Sequence, residues 1–147
     1  MGPPYFYTTR ITWAGGRDGR LQSDSLPELD FSAPEEFRGR AGMWTPEHFY
    51  VAAANACLLT TFLAITEISK LAIVSYEAVG TGKLEKSSAE GGPGYLITEI
   101  VLQPRITVST EAERDRAARL IEKAEKSCLV SRSMKTLIRL EPEIVVK

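Results

Sequence analysis

Apolar and polar residues change rhythm several times along the chain, and each change marks an element. Tyr5 to Trp13 (YFYTTRITW) mixes aromatic and β-branched residues in partial alternation, passes into the glycine-rich AGGRDGR, and resumes alternating in LQSDSL. This pattern predicts a β-hairpin with Arg17 at its tip. Pro27 to Phe31 predicts a short third strand, and APEEFRGRAGMW, rich in glycine and charge, reads as a flexible connection. Thr45-Pro46-Glu47 then supplies a helix start: a hydroxyl for the free N–H groups, a proline that lacks one, and an acid for the positive end of the helix. The helix runs to Ser69. From Val51 to Ile65 its polar residues are Asn55, Thr60 and Thr61 alone, so it is apolar nearly all round, as a helix enclosed within a domain or a dimer would be.

Leu71 to Lys86 and Tyr95 to Ser109 are rich in Val, Ile, Thr and Tyr and flank EKSSAEGGPG, which predicts a long antiparallel pair. Pro104 implies an edge position or a bulge, because it cannot donate to a ladder. Thr110 and Glu113 have the spacing of a capping box, and Ala117, Ile121, Ala124 and Cys128 follow along one helical face. Ser131 to Leu137 adds further helical turns, and Ile138 to Val146 a last strand interrupted by Pro142. The order βββ-α-ββ-α-β predicts an α+β fold with helices on antiparallel sheet, in one domain spanning 1–147.

Composition narrows the functional classes. The 147 residues are 44% hydrophobic and 25% charged, ordinary for a globular protein. Lys and Arg total 18 against 19 Asp and Glu, so a net charge of -1 offers no positive field for nucleic acid or anionic lipid. The start MGPPYFYTTR lacks the apolar core of a signal peptide, and Val51 to Ile65 is too short and too rich in threonine to span a bilayer. A cytoplasmic protein with neither membrane nor nucleic-acid partner is expected. In a reducing cytosol its two cysteines are either inert or catalytic rather than a permanent staple.

Burial opposes the thiolate that does cysteine chemistry, so Cys57 in an apolar helix needs a fixed positive charge to become reactive. Arg17 on the glycine-rich turn is a candidate, with Glu47 to hold its orientation. Each residue has a plainer reading: Arg17 as a solvated turn residue, Glu47 as an acid at a helix N-terminus, worth about 0.3–1 kcal/mol. Ten residues of straight helix separate Glu47 from Cys57 by roughly 15 Å, so an arginine must bridge them or the helix must bend. His48, the one histidine, leaves no zinc-ligand spacing with two distant cysteines. At roughly 13 Å along the helix from Cys57 it is poorly placed for a cysteine–histidine hydrolase and reads as an exposed first-turn residue.

Three motifs occur in order: GGRDGR, TPEHFYVAAANACLLTTFLAI and AEKSCLVSRSM. With them the chain resembles the osmotically inducible protein C and organic hydroperoxide resistance (OsmC/Ohr) family from about Tyr5 to Val146. The resemblance implies an intertwined homodimer of α+β subunits, with the apolar helices enclosed by sheets. It implies Cys57 as the peroxidatic cysteine, Cys128 as the resolving one, Arg17 as the activator of the thiolate and Glu47 as the carboxylate that orients it. The implied activity is reduction of organic hydroperoxides through a Cys57 sulfenate and a Cys57–Cys128 disulfide. The resemblance further implies that no cofactor is bound and that the reductant is an external dithiol, a lipoyl group carried on a protein. Leu129 stands where many relatives have proline, and His48 where glutamine is frequent. GGRDGR resembles the hydroperoxide branch and LVSRS the osmotically inducible branch. Phe49, Leu58, Phe62, Leu129 and Met134 are candidates for a pocket that takes an alkyl or acyl tail, although core packing selects the same residue types. A non-catalytic dimeric module that binds a hydrophobic small molecule is the rival function.

Overall fold

A computed structural model describes residues 2–86 and 94–147. The fold is α+β, and the chain divides into two compact units, one up to Phe49 and one from Tyr50. In the first unit, β1 (Arg10–Trp13), β2 (Asp18–Gln22) and β3 (Leu29–Ser32) form an antiparallel meander in that order. The aromatic run Tyr5–Tyr7 lies ahead of β1 with its side chains exposed. β2 starts three residues earlier than the LQSDSL pattern predicts. Gly15 and Gly16 both take positive φ, and the Asp18 N–H closes the turn on Gly15 O at 2.9 Å, so the strand begins at once.

The connection expected to be flexible is tied down. It carries one 3-10 turn, Glu35–Phe37, and its far side is fixed by Arg40, whose guanidinium pairs with Asp18 at 2.9 Å. Buried Ser32 links both ends, since its hydroxyl accepts from the Arg40 N–H at 3.0 Å and donates to Arg17 O at 3.4 Å. Thr45 then caps α1 (Pro46–Ser69) by accepting from the His48 N–H at 3.1 Å.

α1 ends with Lys70 in the left-handed region, the Leu71 N–H bonded to Thr66 O at 2.9 Å and the Lys70 N–H to Glu67 O at 3.3 Å. This Schellman turn buries Leu71 and delays the strand predicted to begin there until Ser75. β4 (Ser75–Lys86) pairs antiparallel with β5 (Tyr95–Val108), while the predicted glycine-rich connection at 87–93 lies outside the described residues. Gly80 and Gly82 let α1 approach β4. A Cβ on Gly82 would meet Val51 at 2.5 Å, and one on Gly80 would meet Asn55 at 3.2 Å.

The last strands differ from the all-antiparallel expectation. β6 (Leu137–Leu140) and β7 (Glu143–Val146) both run parallel to β5, because α2 (Glu111–Ser127) and α3 (Leu129–Ser133) carry the chain back across the sheet. Pro104 is neither at an edge nor at the bulge, which falls between Lys83 and Leu84. Leu102 O and Val108 O both accept bonds on the β6–β7 side, so even-numbered residues of β5 address that side. At Pro104 that side is the gap where β6 has ended and β7 has not begun, so the missing N–H removes no ladder bond.

Thr110 caps α2 as its spacing predicts, accepting from the Glu113 N–H at 3.2 Å, and Ala117, Ile121 and Ala124 are buried. They share a core with Ile100, Leu102, Ile106 and Val108 of β5 and with Ala54, Leu58 and Phe62 of α1. α1 buries only this i, i+4 ridge and Thr66, and leaves Leu63 and Ile68 exposed. Its 24 residues include an 18-residue window of mean hydropathy 1.7, so by length and composition alone it is long enough to cross a membrane. The shorter Val51 to Ile65 tract understated that length.

Candidate functional site

Cys57 lies in the first half of α1 between buried Ala54 and Leu58, turned far enough from the core ridge to be half-exposed. Cys128 is fully buried at a joint between two helices. Its backbone is extended, with φ -63° and ψ 120°. Its N–H bonds back to Glu125 O at 3.3 Å, and its carbonyl accepts the Arg132 N–H at 3.0 Å, the first bond of α3. One residue therefore closes α2 and opens α3. The N–H groups at the start of a helix have no intrahelical acceptor, and those of Leu129 and Val130 favour the ionised form of Cys57.

Both cysteines are free thiols, and each bears on the ionisation of the other. Burial raises the Cys57 pKa, but bonds from the Cys128 thiol, the Val130 N–H, the Thr61 hydroxyl and the Leu129 N–H outweigh it. The net effect holds Cys57 below the ordinary thiol value. Burial and the same bond to Cys57 push Cys128 above that value. The pair thus contains one thiol disposed to ionise and one disposed to keep its proton. Among the described residues no cluster of three or more His, Cys, Asp or Glu stands ready for a metal ion.

The other sequence candidates divide between the two units, with Arg17, Glu47, His48 and Phe49 in the first and Leu58, Phe62, Leu129 and Met134 in the second. Arg17 ends the β1–β2 turn with an exposed side chain, and among the described residues no ion pair joins it to Glu47. Glu47 is half-buried in the first turn of α1, and its Oε1 is buried with no hydrogen-bond partner. His48 is exposed, with Nδ1 2.8 Å from Thr45 Oγ1 and its ring edge-on to Trp44. Leu58 and Phe62 are wholly buried in the core, and Met134 packs against it. Leu129 is 71% exposed beside Cys128. Phe49 sits against the rings of Phe31 and Trp44 in the first unit, with centroids 5.7 and 6.5 Å away.

Two features were absent from the sequence reading. Thr61 Oγ1 lies 3.7 Å from Cys57 Sγ, one helical turn on, a spacing that could have been found in the sequence. The Leu129 and Val130 N–H donors carry no side-chain signature and become visible only with the helix joint.

An α+β fold that carries a half-exposed thiol and a buried one in the same unit is the class of protein the structure describes. Comparison with known sequences gives that class a family: the OsmC-like protein profile matches residues 39–143, and the chain belongs to that family. The chain is 26% identical over 152 aligned residues to the uncharacterized protein YmaD of Bacillus subtilis, covering 100% of this chain and 97% of YmaD. It is 25% identical to organic hydroperoxide resistance protein-like 2 of Staphylococcus saprophyticus, covering 95% and 96% of the two chains. In fold it is similar to an OsmC-like protein of unknown function from Vibrio cholerae, with a TM-score of 0.84 at 20% identity over 95% of this chain and 99% of that one.

Proposed function

We propose that this protein is a thiol-dependent peroxidase that reduces alkyl or lipid hydroperoxides to alcohols. The observation that carries the reading is the asymmetry of the Cys57–Cys128 pair, since the thiol that meets the peroxide first must be the more readily ionised and the more accessible of the two. Cys57 Sγ attacks a peroxide oxygen, forming an S–O bond as the O–O bond breaks. The departing alkoxide takes up a proton and leaves as the alcohol, and the sulfur is left as a sulfenic acid. Cys128 displaces water from that sulfenic acid to form the disulfide. An external dithiol of the lipoyl class, carried on a protein, reopens the disulfide and is itself oxidised.

In this cycle Arg17 supplies positive charge to the thiolate and the departing oxygen, and Glu47, with a buried carboxylate oxygen awaiting a partner, orients it. A second copy of the chain covers the apolar side of α1 that Leu63 and Ile68 leave exposed, giving a homodimer. A reducing cytoplasm supplies the thiol-based electrons that the cycle consumes.

The test is intact mass and free-thiol count on the reduced protein before and after cumene hydroperoxide, with hydrogen peroxide in parallel. Loss of both thiols within one chain, faster with the organic peroxide and reversed by dihydrolipoamide, is the expected result. Survival of both thiols would overturn the reading in favour of a dimeric binding module.

A further inference from the structure

We propose that Thr61 is a catalytic residue, whose hydroxyl donates to the Cys57 thiolate and helps to keep the reactive sulfur ionised. The inference deepens the peroxidase reading and rests on it. Three threonines follow Cys57 in α1, and two of them do what threonine ordinarily does in a helix. Thr60 Oγ1 donates to Cys57 O at 3.1 Å, and Thr66 Oγ1 donates to Leu63 O at 3.0 Å. Thr61 departs from that pattern, with its hydroxyl 3.7 Å from Cys57 Sγ. Residues four apart in a helix share a face, and β-branching restricts the threonine rotamer, so the helix itself fixes this contact.

The direction of the bond depends on the state of the sulfur. While Cys57 holds its proton, either atom can donate. Once Cys57 is ionised the sulfur can only accept, and the contact becomes a charge-assisted bond from the hydroxyl. A bond that strengthens on ionisation favours the ionised form. Cys57 also receives the Cys128 thiol and the Leu129 and Val130 N–H groups, all from the α2–α3 joint. The Cys128 proton is consumed when the disulfide forms, whereas Thr61 is carried on Cys57's own helix and is present before and after. Within its own unit, Cys128 is the titratable group that acts on Cys57, beside burial and the Thr61, Leu129 and Val130 hydrogen bonds, and Arg17 is the charged group that the proposed cycle adds.

The experiment is the pH profile of Cys57 alkylation by iodoacetamide, read on the Cys57 peptide by mass, in wild type, Thr61→Val, Thr61→Ser and Thr60→Val. Thr61→Val keeps the shape and removes the donor. It should move the midpoint upward and slow alkylation about three- to ten-fold at pH values below the midpoint, in line with loss of one hydrogen bond of ordinary net strength. Thr61→Ser should restore the wild-type profile, and Thr60→Val should leave it unchanged. An unshifted Thr61→Val profile, or an equal shift in Thr60→Val, overturns the inference. If Thr61→Val loses its helical circular dichroism, Thr61→Ala takes its place in the same comparison. Peroxide consumption is measured on the same samples: a wild type that alkylates readily but consumes no peroxide sinks the peroxidase reading, while the alkylation profile still decides whether Thr61 holds the thiolate.

Discussion

Cys57 and Cys128 act on each other's ionisation in opposite senses, which favours the thiolate at Cys57 and the protonated thiol at Cys128. Because the Cys57 pKa is lowered, its thiolate appears at a lower pH than that of a free cysteine. Its reaction rate should therefore climb with pH and level off before the ordinary thiol range is reached. Cys128, raised and fully buried, should lag throughout. With limiting iodoacetamide at neutral pH, peptide mapping should find the label predominantly on Cys57, the more readily ionised and more accessible of the two. Preferential labelling of Cys128 would contradict the assignment of roles.

Leu58 and Leu129 test which apolar neighbours of the cysteines belong to the core. Leu58 is fully buried in the α1–β5–α2 cluster, so Leu58→Ala should cost about 2–5 kcal/mol in urea unfolding. Leu129 is largely exposed, and Leu129→Ala should change stability by no more than about 0.5 kcal/mol. A slower reaction with cumene hydroperoxide but not with hydrogen peroxide in Leu129→Ala would mark it as a contact for the organic tail.

Tyr76 carries a buried hydroxyl with no hydrogen-bond partner, and burial pushes its pKa up to about 12. The folded state thus favours the neutral phenol more than the unfolded chain does. The corresponding stability is complete below the ordinary tyrosine value near 10 and declines as pH rises from there toward 12. Tyr76→Phe should remove that alkaline decline. At neutral pH it should be neutral or gain up to about 1 kcal/mol, because an unsatisfied buried hydroxyl is being removed. Thermal melts of both proteins at pH 7 and pH 11 check each part.

Arg17 offers the sharpest separation of chemistry from stability. Its guanidinium is exposed, and Arg17→Ala should leave the unfolding midpoint in place while slowing Cys57 oxidation by roughly a hundred-fold, the scale of losing one preorganised charge at a reacting centre. Stopped-flow oxidation with cumene hydroperoxide gives the rate. Unchanged kinetics would remove Arg17 from the mechanism and leave the thiolate to Thr61 and the helix-joint amides.

The elements readable from the sequence were those specified locally. Thr45-Pro46 and Thr110 with Glu113 are capping chemistry within four residues, and the Ala117, Ile121 and Ala124 face is a periodicity within one helix. The parallel placement of β6 and β7 depends on how α2 and α3 return the chain, which no local pattern encodes. Pro104 misled for a related reason: the rule against proline in a central strand assumes an unbroken neighbour, and here the neighbour changes from β6 to β7. Leu58 and Leu129 are chemically identical and meet opposite fates, so composition could not separate core from exposed surface. The closeness of Cys57 and Cys128 follows from the same crossover, whereas Thr61 was marked by its i+4 spacing alone.

The single-residue joint at Cys128 makes the local framework answerable to the state of its sulfur. With both thiols reduced, the leading amides of α3 bear on the Cys57 sulfur, a side chain of a neighbouring helix. Joining the sulfurs replaces a contact that thermal fluctuation can open with one that only a reductant can. The amide protons of Leu129 and Val130 thereby become a built-in gauge: their rate of exchange with solvent deuterium reads out how much of the population has been oxidised, without any label on the cysteines themselves.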